Sequence, residues 1–214
     1  RVSFDVYPGQ IYGVIGPNGA GKTTVFNCIS GFYKPDSGNI TFNENPVEGI
    51  QSHQIARLGL VRTFQNIRLF KEMTVIENLM VAQHQSLDRR LWAGIMKTGT
   101  YRRLEKEKIA QAMAWLERVE LADMANREAG NLAYGQQRRL EIARCMATSP
   151  KMLLLDEPAA GLNPKETNDL DELIVNLRDE MGVTILLIEH DMSLIINISD
   201  HLLVLDQGRV IASD

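Results

Sequence analysis

The sequence predicts an α/β fold: a parallel-sheet core with an antiparallel β portion and an inserted helical subdomain. Three observations point to it. Short continuous apolar runs recur at Ile11–Ile15, Met152–Leu155 and Val183–Ile188; such runs suit strands buried on both faces. Helical patterns separate them, as the crossovers of a parallel sheet require. From Met73 to Ala147 the pattern is mostly helical, with no convincing strand.

Taken in order, Val2–Val6 alternates apolar and polar residues and reads as a half-exposed strand, as does Asn39–Phe42. Ile11–Ile15 runs into Gly16-Pro17-Asn18-Gly19-Ala20-Gly21-Lys22-Thr23-Thr24, a full match to G-x-x-x-x-G-K-[ST]. Val25–Ile29 opens a helix behind it. Val61-Arg62-Thr63-Phe64-Gln65 closes a short strand before the helical stretch. Tyr101–Glu120 is amphipathic, with Leu104, Ile109, Met113, Leu116 and Val119 on one face. Its Glu-Lys-Glu-Lys run reads as a solvated face. Leu170, Leu173, Ile174 and Leu177 form a helix face opened by Pro164. Leu202–Leu205 and Arg209–Ala212 flank Asp206-Gln207-Gly208, a hairpin turn with Gly in place.

These readings give one domain over residues 1–214. Its core is 1–65 with 149–214, and the helical subdomain is 66–148. The chain starts at Arg1 in mid-pattern and stops at Asp214 just after a strand-like run, so it reads as cut at both ends of a larger domain. Its 44% hydrophobic and 23% charged residues are those of an ordinary globular protein. A net charge of −4 argues against a protein built mainly to grip nucleic acid. No apolar run approaches the ~18 residues of a membrane-spanning helix. Cys28 and Cys145 lie among apolar neighbours and read as free, buried thiols.

The chemistry concentrates at strand ends. Glycines let backbone N–H groups approach a phosphate, and a helix N-terminus adds positive potential there. Lys22 supplies a full charge to the outer phosphates, and the Thr23 hydroxyl suits Mg²⁺. Asp156 and Glu157 follow Met152–Leu155 directly, where open α/β sheets bind ligands. Asp156 is placed to hold Mg²⁺ through water, and Glu157 to act as general base on an attacking water. His190, after Val183–Ile188, ends at the same edge and suits contact with a γ-phosphate. Gln65 is a neutral amide able to ligate Mg²⁺ or water at the hinge between subdomains.

Asn131-Leu132-Ala133-Tyr134-Gly135-Gln136-Gln137-Arg138-Arg139 resembles the signature motif of ABC-transporter ATPases, whose common form is Leu-Ser-Gly-Gly-Gln. With the phosphate loop, Gln65, Asp156-Glu157 and His190 in the family's order, the resemblance covers essentially the whole chain. It implies a P-loop NTPase, RecA-like core. Several stretches are similar to the ATP-binding subunits of branched-chain amino acid importers, of the Liv-type G kind. They include Phe26–Pro35, Val61–Gln65, Met73–Leu79, Leu132–Arg144 and Pro158–Pro164, together with a long insert from about Gln83 to Arg103.

The resemblance implies two ATPase subunits sandwiching two ATPs with Mg²⁺. Gly16 to Thr24 and His190 would contact the phosphates of one ATP. Ala133, Tyr134, Gly135, Gln136 and Asn163 of the opposite subunit would reach the same nucleotide. Thr23, Gln65 and Asp156 would organise the metal, with Lys22, Gln65, Glu157 and His190 as the catalytic set. It further implies permease subunits as membrane partners, one of whose short helices would dock near Gln65 and the helix after Met73. A second ATPase subunit, a different chain or a second copy of this one, and, indirectly, a substrate-binding protein complete the partners, with no nucleic acid. The location implied is peripheral, on the cytoplasmic face of the cell membrane. Three residues depart from the pattern. Ala133 stands for Ser, Tyr134 for Gly, and Asn163 for the usual Asp, which suits an asymmetric dimer. The family's adenine-stacking aromatic falls before Arg1, and neither Tyr7 nor Tyr12 replaces it. Alternative substrates are other amino acids, amides, urea or exported lipopolysaccharide. A soluble ABC ATPase and a P-loop kinase are the readings from other classes.

Overall fold

A computed structural model describes residues 2–83 and 99–213. The elements begin with β1 (Ile11–Ile15), α1 (Lys22–Ile29), β2 (Thr41–Phe42), β3 (Asn45–Pro46), α2 (Ser52–Leu58) and β4 (Leu60–Arg62). Three helices follow, α3 (Val75–Gln83), α4 (Gly99–Arg118) and α5 (Tyr134–Met146), with short 3-10 turns before α5. The chain closes with β5 (Met152–Asp156), α6 (Pro164–Met181), β6 (Thr184–Ile188), α7 (Met192–Ile198), β7 (His201–Asp206) and β8 (Arg209–Ser213). Two compact units result: Arg1–Asn66 with Pro150–Asp214, and Ile67–Ser149.

The first unit is built on one sheet in the order β4-β5-β6-β1-β7-β8. The pairs from β4 to β7 are parallel, and β8 returns antiparallel on β7. Every residue of β5 and β6 is buried, as expected of strands covered on both faces. One face packs Tyr12, Val14, Leu154, Leu186 and Leu203 with Phe26 of α1 and Ile55 of α2. On the other, Gly13 lies so close to α7 that a Cβ would meet Ile195 Cγ1 at 2.6 Å and Ser199 Oγ at 2.7 Å. The β7–β8 turn is two residues, Gln207-Gly208, with φ of 42° and 71°, the turn whose twist matches a hairpin.

Two expected strands differ. Val2–Val6 forms no strand. Its alternation is expressed as packing instead: Val2, Phe4 and Val6 lie against the core while Ser3 and Asp5 are exposed. Asn39–Phe42 contracts to Thr41–Phe42, paired with Asn45–Pro46 across the turn Asn43-Glu44. Beyond these four residues the two segments keep one further backbone bond, from Val47 N to Ile40 O at 2.8 Å, and Asn39 takes no part.

The second unit is helical. Asn78 organises its start, donating from Nδ2 to the carbonyls of Phe70 and Thr74 and accepting from Phe70 N, each at 3.0 Å. The Arg138–Glu141 ion pair of α5 is fully buried at 2.8 Å. On α4 the buried stripe is Ala112, Leu116 and, just past its end, Val119. Ile109, expected on that face, is exposed, although its spacing of three from Ala112 and seven from Leu116 sets it on the same side of the helix. The insert expected from Gln83 to Arg103 falls largely outside the described residues, which omit 84–98. Both cysteines are free, but only Cys145 is buried as expected; Cys28 is half-buried. Burial pushes the Cys145 thiol to about 12, and burial followed by the Asp36 charge raises Cys28; neither is poised to react.

Two outcomes follow for stability. Gly13→Val should wedge α7 from β1 and cost about 1–3 kcal/mol, read as a lower urea midpoint. Asp171 of α6 faces a cleft with Val175, Asn197 and Ile198. Burial, then the charges of Glu189 and Asp191, raise its pKa from 3.8 to about 6. The folded state therefore holds this proton more tightly than the unfolded chain. That stability is fully present below about pH 3.8 and is lost as pH rises through about 6. Asp171→Asn should raise the urea midpoint near neutral pH and lose that advantage in acid.

Candidate active site

The parallel register sets Val14, Ile188 and Asp156 side by side at the carboxyl edge of the sheet. Loops leaving β1, β5 and β6 therefore start from neighbouring points, about 4.8 Å apart per strand. All the groups in the next two paragraphs belong to the first unit.

The loop after β1 is folded on its own lysine. Lys22 is buried and donates from Nζ to the carbonyls of Gly16 at 2.6 Å and Pro17 at 3.2 Å. Gly16 has φ 153°, and a Cβ there would lie 2.1 Å from Leu205 O, so the position admits only glycine. Gly21 precedes α1 with φ 101° and offers no side-chain cap, and the first turn carries no acid. Pro17, Asn18, Gly19, Thr23 and Thr24 are exposed and Ala20 is buried. An uncapped helix start, a confined ammonium and open hydroxyls make a donor set that fits a polyphosphate.

Glu157 stands at the centre of the opposite loop. Its Oε1 is 2.9 Å from His190 Nε2, and its Oε2 accepts from Gln65 Nε2 at 2.9 Å. Its backbone adopts φ 49°, a left-handed conformation uncommon outside glycine, held by the bond from Glu157 N to Ile188 O. The three side chains singled out as base, phosphate contact and hinge amide thus meet. Asp156 is buried and its Oδ2 is paired with Arg62 at 2.7 Å.

Glu189 is a site residue to which the sequence reading gave no role. It is buried, and its carboxylate accepts from Ala159 N at 2.7 Å and His190 N at 3.1 Å. It thereby ties the loop after β5 to the loop after β6. Burial raises its pKa, against the pull of those two N–H groups. The available signal was a carboxylate placed directly after a fully apolar strand, where burial needs a partner.

In the helical unit, α5 starts at Tyr134, behind Ala133. Ala133, Tyr134 and Asn131 are exposed, and Gly135 is buried. Gln136 turns its Oε1 back to Ala133 N at 3.1 Å. In the first unit, Asn163 caps α6 by accepting from the N–H groups of Lys165 and Glu166, both at 3.0 Å.

The family described as ABC transporter matches residues 1–160. The high-affinity branched-chain amino acid transport ATP-binding protein LivG of Escherichia coli is 59% identical over 213 residues, covering 100% of this chain and 84% of that protein. BraF of Pseudomonas aeruginosa, described in the same words, is 59% identical over 99% of this chain and 83% of its own length. A crystal structure of a nucleotide-free ATP-binding cassette from an ABC transporter superposes with a TM-score of 0.83 at 36% identity, over 99% of this chain and 83% of that one. The ADP conformation of a transporter cassette gives 0.82 at 35%, over 97% and 81%.

Removing the Glu189 tie should loosen the meeting of Glu157 and His190 and leave the phosphate loop intact. Glu189→Ala is expected to lower the turnover number for ATP by about tenfold to a hundredfold, with ATP affinity by calorimetry nearly unchanged. Equal turnover in variant and parent would discard the tie as a catalytic support.

Proposed function

The chain belongs to the ABC transporter family, and we propose that it is the ATP-hydrolysing subunit that powers import of branched-chain amino acids. The observation that carries hydrolysis is the placement of Glu157 between His190 and Gln65, on the strand edge shared with the phosphate loop. The substrate class is supported by the 59% identity, over the full chain, with a protein named for branched-chain amino acid transport.

In this reading the N–H groups from Asn18 to Thr24 and the exposed hydroxyls of Thr23 and Thr24 receive the phosphates. The Lys22 ammonium exchanges the Gly16 and Pro17 carbonyls for phosphate oxygens. Thr23, Gln65 and Asp156 would hold Mg²⁺, which when bound would offset the charge of the phosphates. Release of the Gln65 amide frees Glu157 Oε2 to take a proton from water. That water oxygen forms a bond to the γ-phosphorus as the bond to the β-phosphate bridge oxygen breaks, giving ADP and phosphate. His190 donates to the γ-phosphate and keeps Glu157 and the water in line. Asn163 and the start of α5, from Ala133 to Gln136, serve the nucleotide of a second ATPase subunit, a different chain in an asymmetric dimer.

Among the described residues no helix is long and apolar enough to cross a membrane. In this reading permease subunits hold the chain at the cytoplasmic face of the cell membrane, with a substrate-binding protein acting indirectly; the name of the transport protein it resembles supports this. The core, 1–65 with 149–214, binds nucleotide, and within 66–148 the helix after Met73 receives a short helix of the permease.

The test is uptake of labelled leucine, isoleucine and valine by cells whose native copy carries Glu157→Gln, with redundant systems deleted. Loss of the base is expected to cut ATP turnover by about 10²–10⁴-fold and abolish uptake of all three, sparing a control solute. Lost ATP turnover with intact uptake would reject the branched-chain assignment and keep the ATPase.

A further inference from the structure

We propose that Arg62 is a positioning residue for magnesium: it holds the Asp156 carboxylate in the orientation that receives the metal's water ligand. The proposal rests on the reading of Asp156 as a magnesium carboxylate. Arg62 closes β4, one strand over from β5, and its side chain is almost wholly buried. One terminal nitrogen donates to Asp156 Oδ2 at 2.7 Å. The other donates to Asn27 Oδ1 at 2.7 Å and Ser30 Oγ at 3.0 Å, both on or just past α1, the helix that leaves the phosphate loop. Ser30 in turn donates to Phe26 O. The guanidinium carbon lies 5.4–5.9 Å from the ring centres of Phe64, Phe26 and Phe32.

This arrangement gives Arg62 no freedom to swing. Asn27 and Ser30 fix one terminal nitrogen, the rings lie round the guanidinium, and the other terminal nitrogen meets the carboxylate. Binding one oxygen of Asp156 sets the plane in which the other, Oδ1, lies. The carboxylate is thereby aimed before the metal arrives. A buried ion pair adds little stability over an apolar pair of equal volume, so folding alone is a poor account of a guanidinium at this point. Groups that orient a metal's carboxylate from behind commonly govern its affinity. Because Asn27 and Ser30 ride on the phosphate-loop helix, Arg62 also ties the metal carboxylate to the loop that binds the nucleotide. A lysine keeps the charge but cannot reproduce three directed bonds.

The experiment measures binding of a trinitrophenyl fluorescent ATP analogue to the purified protein as MgCl₂ is varied, for Arg62→Met, Arg62→Lys, Asn27→Ala and Asp156→Asn. Arg62→Met is expected to raise the half-saturating Mg²⁺ roughly tenfold and leave Mg²⁺-free binding unchanged. Arg62→Lys and Asn27→Ala should give smaller rises in the same direction. A merely structural role would move both binding modes together and would overturn the proposal. An unchanged or lowered Mg²⁺ requirement in Arg62→Met would overturn it too, the lowered value marking Arg62 as a competing cation. If Arg62→Met fails to fold by circular dichroism, Asn27→Ala decides, a raised requirement supporting the proposal and an unchanged one overturning it. An unchanged requirement in Asp156→Asn would overturn the reading of Asp156 and this proposal with it. A shift in Asp156→Asn alone would overturn the role of Arg62 and leave that reading standing.

Discussion

The site depends on the parallel register of β1, β6 and β5. That register ends three strands at one level, with Val14, Ile188 and Asp156 abreast. Parallel pairing is available because helices cover both faces of the sheet and β5 and β6 are buried throughout and mostly apolar. The loops that follow can then carry charge, since they emerge together where the apolar layers stop. A slip of one residue in β5 would turn Asp156 to the opposite face of the sheet and break the arrangement.

Charge at that edge is held by mutual satisfaction. Asp156 is neutralised by Arg62, Lys22 by loop carbonyls, and Glu189 by two backbone N–H groups. Each of these groups is buried, where an unpaired charge is costly. Glu157 and His190 are different, being the more open pair, with His190 about half exposed. The edge therefore has two layers: an inner set of charges locked by partners, and an outer acid–imidazole–amide group that solvent and ligand can reach. The left-handed backbone at Glu157 lies beside this inner layer, held by the bond from its N–H to Ile188 O.

Much of this was legible in the sequence, and the failures have physical causes. The runs at Ile11, Met152 and Val183 were readable because strands buried on both faces leave an unbroken apolar record. Val2–Val6 carried the period of a strand, but period records which side chains are buried and not whether a ladder partner exists. Ile109 was misplaced for a related reason: apolar character does not fix which residues of a wide helical stripe are covered. Glu157, His190 and Gln65 could each be placed at the sheet edge from the strand they follow. Their contact could not, because it depends on loop paths. Arg62 and Glu189 were missed because both act on groups distant in sequence, Asp156 and Ala159.

The departures from the family's usual residues follow the same division between fold and chemistry. Asn163 replaces an acid but still caps α6 through two backbone N–H groups, a task at which Asn and Asp are equivalent. Ala133 has no oxygen to cap α5, and Gln136 compensates in part by satisfying Ala133 N. Both helix starts are thus supported locally. What the two substitutions remove is a carboxylate charge and a hydroxyl, neither of which these helix starts require. Both exchanges thus preserve the helix while deleting polar chemistry at its exposed start.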